Sequence, residues 1–250
     1  MHRCWLASEE PLIIGQTYVL SAEESVHVAR VLRMKEGQEV QLIAAECLYY
    51  GKLVVVDATA SQVIVLEQLP SPECPVLITL IQGLPKQDKL EMIIQKATEI
   101  GAWDVFPVEM ERSVARLDGK EAKKQERLQR IAAEAAKQSG RARVLAVHEA
   151  CRFDGIMKTL TTTTYDAVFV AWEQEDKQLL SQGLAALLAN KPWVKRIALV
   201  IGPEGGISEN EIALLNAVGA QCVTLGKRIL RTETAGLCAL AVMMAALGEM

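Results

Sequence analysis

Apolar positions follow two different rules along this chain. Between residues 39 and 69 they come in short β-branched runs: Val40 and Leu42, then Leu53 to Val56, then Val63 to Leu66, interrupted by Gly51 and by Ala58-Thr59-Ala60-Ser61. Runs of this length and composition predict strands, preceded by a short helical stretch over 21–32. From residue 76 onward, strand-like runs at 76–81, 105–108, 144–147, 167–171, 197–201 and 222–225 alternate with helical periods. Between the first two, Leu90, Ile93, Ile94, Ala97 and Ile100 keep helix spacing, Asp88 and Glu91 mark a start and Gly101 a stop. Ser208 and Glu211 repeat the start signal after the fifth run. This alternation predicts an α/β domain with a largely parallel sheet.

The two regimes meet at Leu69-Pro70-Ser71-Pro72-Glu73-Cys74-Pro75, whose three prolines neither helix nor strand tolerates internally. The expected boundary therefore separates a small domain, 1–72, from a larger one, 73–250. Residues 1–72 carry 5 basic and 9 acidic side chains, whereas the rest is balanced at 22 of each. There is no internal repeat, and Thr161 to Thr164 reads as loop filler. The longest apolar run, Leu237 to Leu247, falls short of the roughly 18 residues that span a bilayer and predicts a core or interface helix.

Composition narrows the class. Half of the 250 residues are hydrophobic and only 4% aromatic, so the core is built from aliphatic side chains. The formal charge of −4 speaks against a protein that coats nucleic acid by bulk charge, while leaving room for a local basic patch. The six cysteines are dispersed without a C-x-x-C and read as buried thiols of a cytoplasmic protein; no secretory signal is expected from the opening residues. His2, His27 and His148 show no metal-ligand spacing, so no metal centre is expected.

Three stretches carry candidate chemistry. Ile201-Gly202-Pro203-Glu204-Gly205-Gly206 joins a strand to a capped helix, and its glycines let the backbone approach a ligand closely. It is not G-x-G-x-x-G and follows the fifth strand of its domain, which disfavours a dehydrogenase. Leu225-Gly226-Lys227-Arg228-Ile229-Leu230-Arg231-Thr232-Glu233-Thr234-Ala235 follows the last strand. Thr232 or Thr234 is expected to cap the next helix, and Arg231 stands where a guanidinium can meet an anion or a developing negative charge. The third stretch, Arg112 to Arg143, holds ten basic against four acidic residues and ends in Gln138, Ser139 and Arg141; with Lys86 and Lys89 it could track a phosphate backbone.

Taken with Gln82 to Lys89, Gln95 to Gly101, Glu111 to Ser113, Glu134 to Arg141 and His27 to Arg33, these motifs resemble the RsmE family, the 16S ribosomal RNA (uracil(1498)-N(3))-methyltransferases of the SPOUT superfamily. The resemblance implies a PUA-like β-barrel followed by an α/β domain with a trefoil knot, a homodimer, and S-adenosyl-L-methionine as methyl donor. The implied donor pocket is Leu199, Ile201, Gly202, Pro203, Glu204, Gly205, Gly206, Leu225, Gly226, Ile229, Leu230 and Thr232, acting largely through the backbone. For the reaction, Arg231 is expected to stabilise charge and Glu204 or Glu233 to accept the uracil N3 proton. Arg30, Arg33, Lys86, Lys89, Arg112, Gln138 and Arg141 are expected to meet RNA of the small ribosomal subunit. A ribose 2′-hydroxyl or tRNA methyltransferase of the same superfamily and a noncatalytic ribosome-assembly factor are the open alternatives.

Overall fold

The structure is a computed structural model that describes residues 1–86 and 89–250, so the Asp88 half of the predicted helix start lies outside the described residues. The chain divides into two compact units, 1–73 with 140–143, and 74–139 with 144–250. The break falls at the proline-rich seam. Residues 140–143, however, leave the second unit and join the first, which no local pattern announced.

In the first unit, β1 (His2–Trp5), β2 (Thr17–Val19), β3 (Glu39–Ala44), β4 (Cys47–Val55) and β5 (Gln62–Leu69) form a mixed sheet in the order β1-β3-β4-β5-β2. Only the β1–β3 pair is parallel. The pairing path is open, with β1 and β2 at its edges, so the hydrogen-bond ladder does not close the barrel that the resemblance implies. Inward positions Cys4, Val40, Leu42, Tyr49, Leu53, Val63 and Val65 make the core with Val28. The predicted helical stretch is α1 (Ala22–Val26), capped by Ser21 Oγ accepting from Glu24 N, and continues as a π-turn over His27–Val31.

The second unit follows the predicted alternation. Its strands are β6 (Leu77–Gly83), β7 (Asp104–Glu109), β8 (Ala146–Val147), β9 (Cys151–Arg152), β10 (Ala167–Ala171), β11 (Arg196–Ile201) and β12 (Gln221–Val223). Every pair is parallel, in the order β12-β10-β11-β6-β7-β8, with β9 also on β7. The helices are α2 (Lys89–Ile100), α3 (Glu121–Ser139), α4 (Phe153–Thr162), α5 (Leu180–Asn190), α6 (Glu209–Ala217) and α7 (Thr232–Ala246). Because side chains alternate along a strand, β11 feeds two cores. Ile197, Leu199 and Ile201 pack with α2, α5 and α7 residues such as Ile93, Leu184 and Leu240. Ala198 and Val200 pack with Ile156, Ile212 and Leu215 from α4 and α6. A sheet covered on both faces explains why its strands read as unbroken apolar runs.

Candidate active site

The loops that leave the C-terminal ends of β6, β7, β11 and β12 converge, as ligand-binding loops do in parallel α/β sheets. Glycine makes the convergence possible. A Cβ on Gly83 would lie 2.5 Å from Pro203 N, and one on Gly205 would lie 2.7 Å from the Arg112 carbonyl oxygen. Gly206 and Gly226 have φ values of +73° and +113°, which side-chain-bearing residues rarely adopt.

Hydrogen bonds then lock the loops. Ser208 caps α6 by accepting from Glu211 N, and Glu211 Oε2 returns the favour by accepting from Ser208 N, the predicted capping box. The other Glu211 oxygen accepts from Glu111 N at 2.8 Å, and Ser208 Oγ donates to Glu111 Oε2 at 2.6 Å. The glycine loop and the Glu111-Arg112-Ser113 loop are thereby held as one piece, with Arg112 exposed on it.

Thr232 does not cap α7. Arg231 is the N-cap residue and lends no side-chain bond; the Thr232 hydroxyl instead donates to the Gly202 carbonyl at 2.6 Å and accepts from Gln82 Nε2 at 2.9 Å. It therefore pins the start of α7 to the ends of β11 and β6, which is worth more than one satisfied helix-end N–H because three polar groups, two of them on buried residues, are paired at once. Gln82, fully buried near the end of β6, heads the Gln82 to Lys89 motif, yet no site role was expected of it. Besides the motif, its signal is an amide in a buried strand whose other polar side chain is Thr79.

At the mouth of the loops Lys89 Nζ sits 2.9 Å from Glu204 Oε1 and 3.1 Å from Glu233 Oε2. Glu204 also accepts from Lys86 N at 3.1 Å. Burial works against ionisation of both carboxyls, yet Lys89 and nearby backbone N–H groups outweigh it and hold both below the usual carboxylate range. The two carboxylates in turn raise the Lys89 ammonium above its ordinary value. The expected proton acceptors are thus ionised and share one cation, and Lys89 is engaged within the site.

The remaining expected residues divide by exposure. Leu199 and Ile201 are buried with their side chains in the sheet core, so only their backbone is available to a ligand. Pro203 is buried, Leu225, Gly226 and Leu230 are half-buried, and Ile229 is 88% exposed. Arg231 is exposed. Arg30, Arg33, Lys86 and Gln138 are exposed on their own units. Arg141 is not: its guanidinium is buried on the Glu73 carboxylate, Nη2 to Oε2 at 2.6 Å, so burial withdraws it from the RNA-facing set.

With this geometry in place, likeness to known proteins decides the lineage. The model of the RNA methyltransferase domain family matches residues 72–244. Over 228 residues the chain is 37% identical to a ribosomal RNA small subunit methyltransferase E of Bacillus subtilis, covering 90% of this chain and 88% of the relative. The chain belongs to the ribosomal RNA small subunit methyltransferase E family. A Mycobacterium tuberculosis member is 31% identical, over 90% of this chain and 85% of its own. The solved structure of a Neisseria gonorrhoeae member bound to S-adenosyl methionine aligns at a TM-score of 0.74 and 31% identity, over 98% of this chain and 97% of that one.

Proposed function

We propose that this chain transfers a methyl group from S-adenosyl-L-methionine to N3 of one uridine, of the 1498 type, in 16S ribosomal RNA. The observation that carries the reading is the junction of Gly202 with Thr232, which ties the loop bearing Glu204 to the start of α7 at Arg231 and Glu233, with Lys89 bridging the two carboxylates. A donor with a flat aromatic base and a charged sulfonium fits a pocket of backbone groups at Gly202, Gly205, Gly206 and Gly226 flanked by Leu225 and Leu230. Gly206 and Gly226 have positive φ, a conformation that residues with side chains rarely adopt, and the space beside Gly226 where a Cβ would stand is open. When bound, the donor supplies an electrophilic methyl group.

The rest falls to the protein. Uracil N3 must lose its proton as it attacks, and negative charge develops on the flanking carbonyl oxygens. Arg231 meets that charge from the N-terminal edge of α7, where the helix dipole adds positive potential. The Glu204 and Glu233 pair accepts the proton. It need not be strongly basic, because Arg231 stabilises the N3 anion that proton loss creates and so lowers the basicity required. RNA is held by Arg30 and Arg33 of the first unit and by Lys86, Arg112 and Gln138 of the second. The return of the chain from the edge strand β12 to the sheet centre at Thr232 supports the trefoil knot of the family. The exposed outer residues Cys238 and Val242 of α7 give a homodimer a surface to use.

The test is transfer of labelled methyl from S-adenosyl-L-methionine to small subunits lacking the modification, with naked 16S RNA in parallel. The expected product is 3-methyluridine at a single site. A 2′-O-methylated nucleoside would overturn the specificity, and RNA binding without transfer would favour the assembly-factor reading.

A further inference from the structure

A second cluster of reactive side chains lies within the first unit. His2 and Cys4 are two apart on β1 and so project to the same face of the strand, and α1 brings Glu24 against them. One ligand atom from each of His2, Cys4 and Glu24 lies within 4.8 Å of the other two. Cys4 is fully buried, while the His2 and Glu24 side chains keep 24% and 13% of their surface, which leaves one side open for an ion to enter.

The spacing suits a shared ion better than direct bonding. His2 Nε2 to Glu24 Oε2 is 3.9 Å, too long for a hydrogen bond. It is close to the roughly 3.3–3.8 Å that separates neighbouring ligands around a tetrahedral zinc ion with bonds of about 2.0–2.3 Å. His2 Nε2 is itself buried without a hydrogen-bond partner, an arrangement that costs free energy unless something binds there. The Glu24 carboxylate is oriented by its other oxygen, which accepts from Trp5 N at 3.4 Å. The His2 ring is oriented by stacking on His27, with centroids 5.1 Å apart.

We propose that His2, Cys4 and Glu24 form a zinc site, with solvent in the fourth position, that staples the edge strand β1 to α1. The nitrogen, sulfur and oxygen set is borderline in softness, which suits Zn²⁺ over Mg²⁺ or Ca²⁺. Burial, with Glu24 beside it, pushes the free Cys4 thiol up to about 12, so coordination must displace its proton to solvent. In the sequence His2 is terminal and His27 and His148 have no ligand partner at metal spacing, so no metal centre is expected there. The third ligand arrives only through the packing of α1 on β1.

The experiment uses the full chain, free of affinity tag and stripped with chelator, titrated with Co²⁺ and then with Zn²⁺ in competition. One equivalent of Co²⁺ is expected to give a thiolate-to-cobalt charge-transfer band with intense tetrahedral visible bands, both abolished by Zn²⁺. Cys4→Ser is expected to remove the charge-transfer band. His2→Ala and Glu24→Gln, at half-buried positions, are expected to weaken Zn²⁺ binding at least tenfold with unchanged circular dichroism; they carry the test if Cys4→Ser does not fold. A charge-transfer band that survives Cys4→Ser, no such band in the parent protein, or Zn²⁺ affinity unaltered in His2→Ala and Glu24→Gln would overturn the site.

Discussion

Lys89 is the residue on which the proposed chemistry hangs, since one ammonium serves both Glu204 and Glu233. Both carboxyls have depressed values in the folded protein, so the stabilisation they bring is present above their ordinary value of 4.5 and is lost as pH falls through the folded one. Replacing Lys89 with Met removes the attraction and leaves burial, which acts in the opposite direction. The acid limb of the kcat/KM profile is then expected to move to higher pH; an unmoved limb would mean that neither carboxylate accepts the proton. Arg231 differs, because it is exposed and lends no side-chain bond to the helix it caps. Arg231→Ala is expected to lower single-turnover methylation by about 10²–10³-fold, the typical cost of removing one oxyanion donor, with donor affinity unchanged in calorimetry.

Among the elements, α7 shows how an apolar run is divided by packing. Its Ala239, Leu240, Met243 and Met244 are buried in the core beside α2 and α5, while Val242 remains 40% exposed. The segment 140–143 is the opposite case, short, polar and yet structural. Arg141 gives Glu73 a buried partner, and the N–H groups of Ala142 and Arg143 donate to Glu73 Oε1 at 2.8 and 3.2 Å. Arg141→Ala would leave that carboxylate with only the two backbone N–H donors, and losing a hydrogen bond to a charged group costs about 1.5–3 kcal/mol. Urea unfolding of the first unit is expected to show a loss of that size, while RNA binding by the folded fraction keeps its salt dependence. A change in salt slope without loss of stability would return Arg141 to the RNA-facing set.

For the whole molecule, −4 net charge means that affinity for RNA must come from where the cations stand. Neutralising Arg30, Arg33, Lys86 and Arg112 together is expected to weaken subunit binding and flatten its dependence on salt. Each lost phosphate contact lowers the log–log slope by about 0.7–0.9; a filter-binding series in which the slope persists would place these charges away from the RNA. Among the described residues no helix is long and apolar enough to cross a membrane.

What the sequence by itself determined is whatever depends on neighbours in the chain. The parallel sheet was legible because its inner strands, such as β10 and β11, are buried on both faces and read as continuous apolar runs. The proline seam was legible because its backbone excludes regular structure, and the α6 cap because Ser208 and Glu211 meet within one turn. The glycine loops were legible as motifs, although Gly205 shows its reason only against the Arg112 carbonyl. Tertiary structure decided the rest. The partnership of Gln82 and Thr232 spans 150 positions, Lys89 reaches Glu204 and Glu233 across more than a hundred, and Arg141 turns from Glu134 to Arg143 in sequence toward Glu73 in space. Pairings at such separation are chosen by which strands lie side by side and which loops their ends share. A local pattern of charge or polarity therefore names the candidates, and only the folded backbone assigns each its partner.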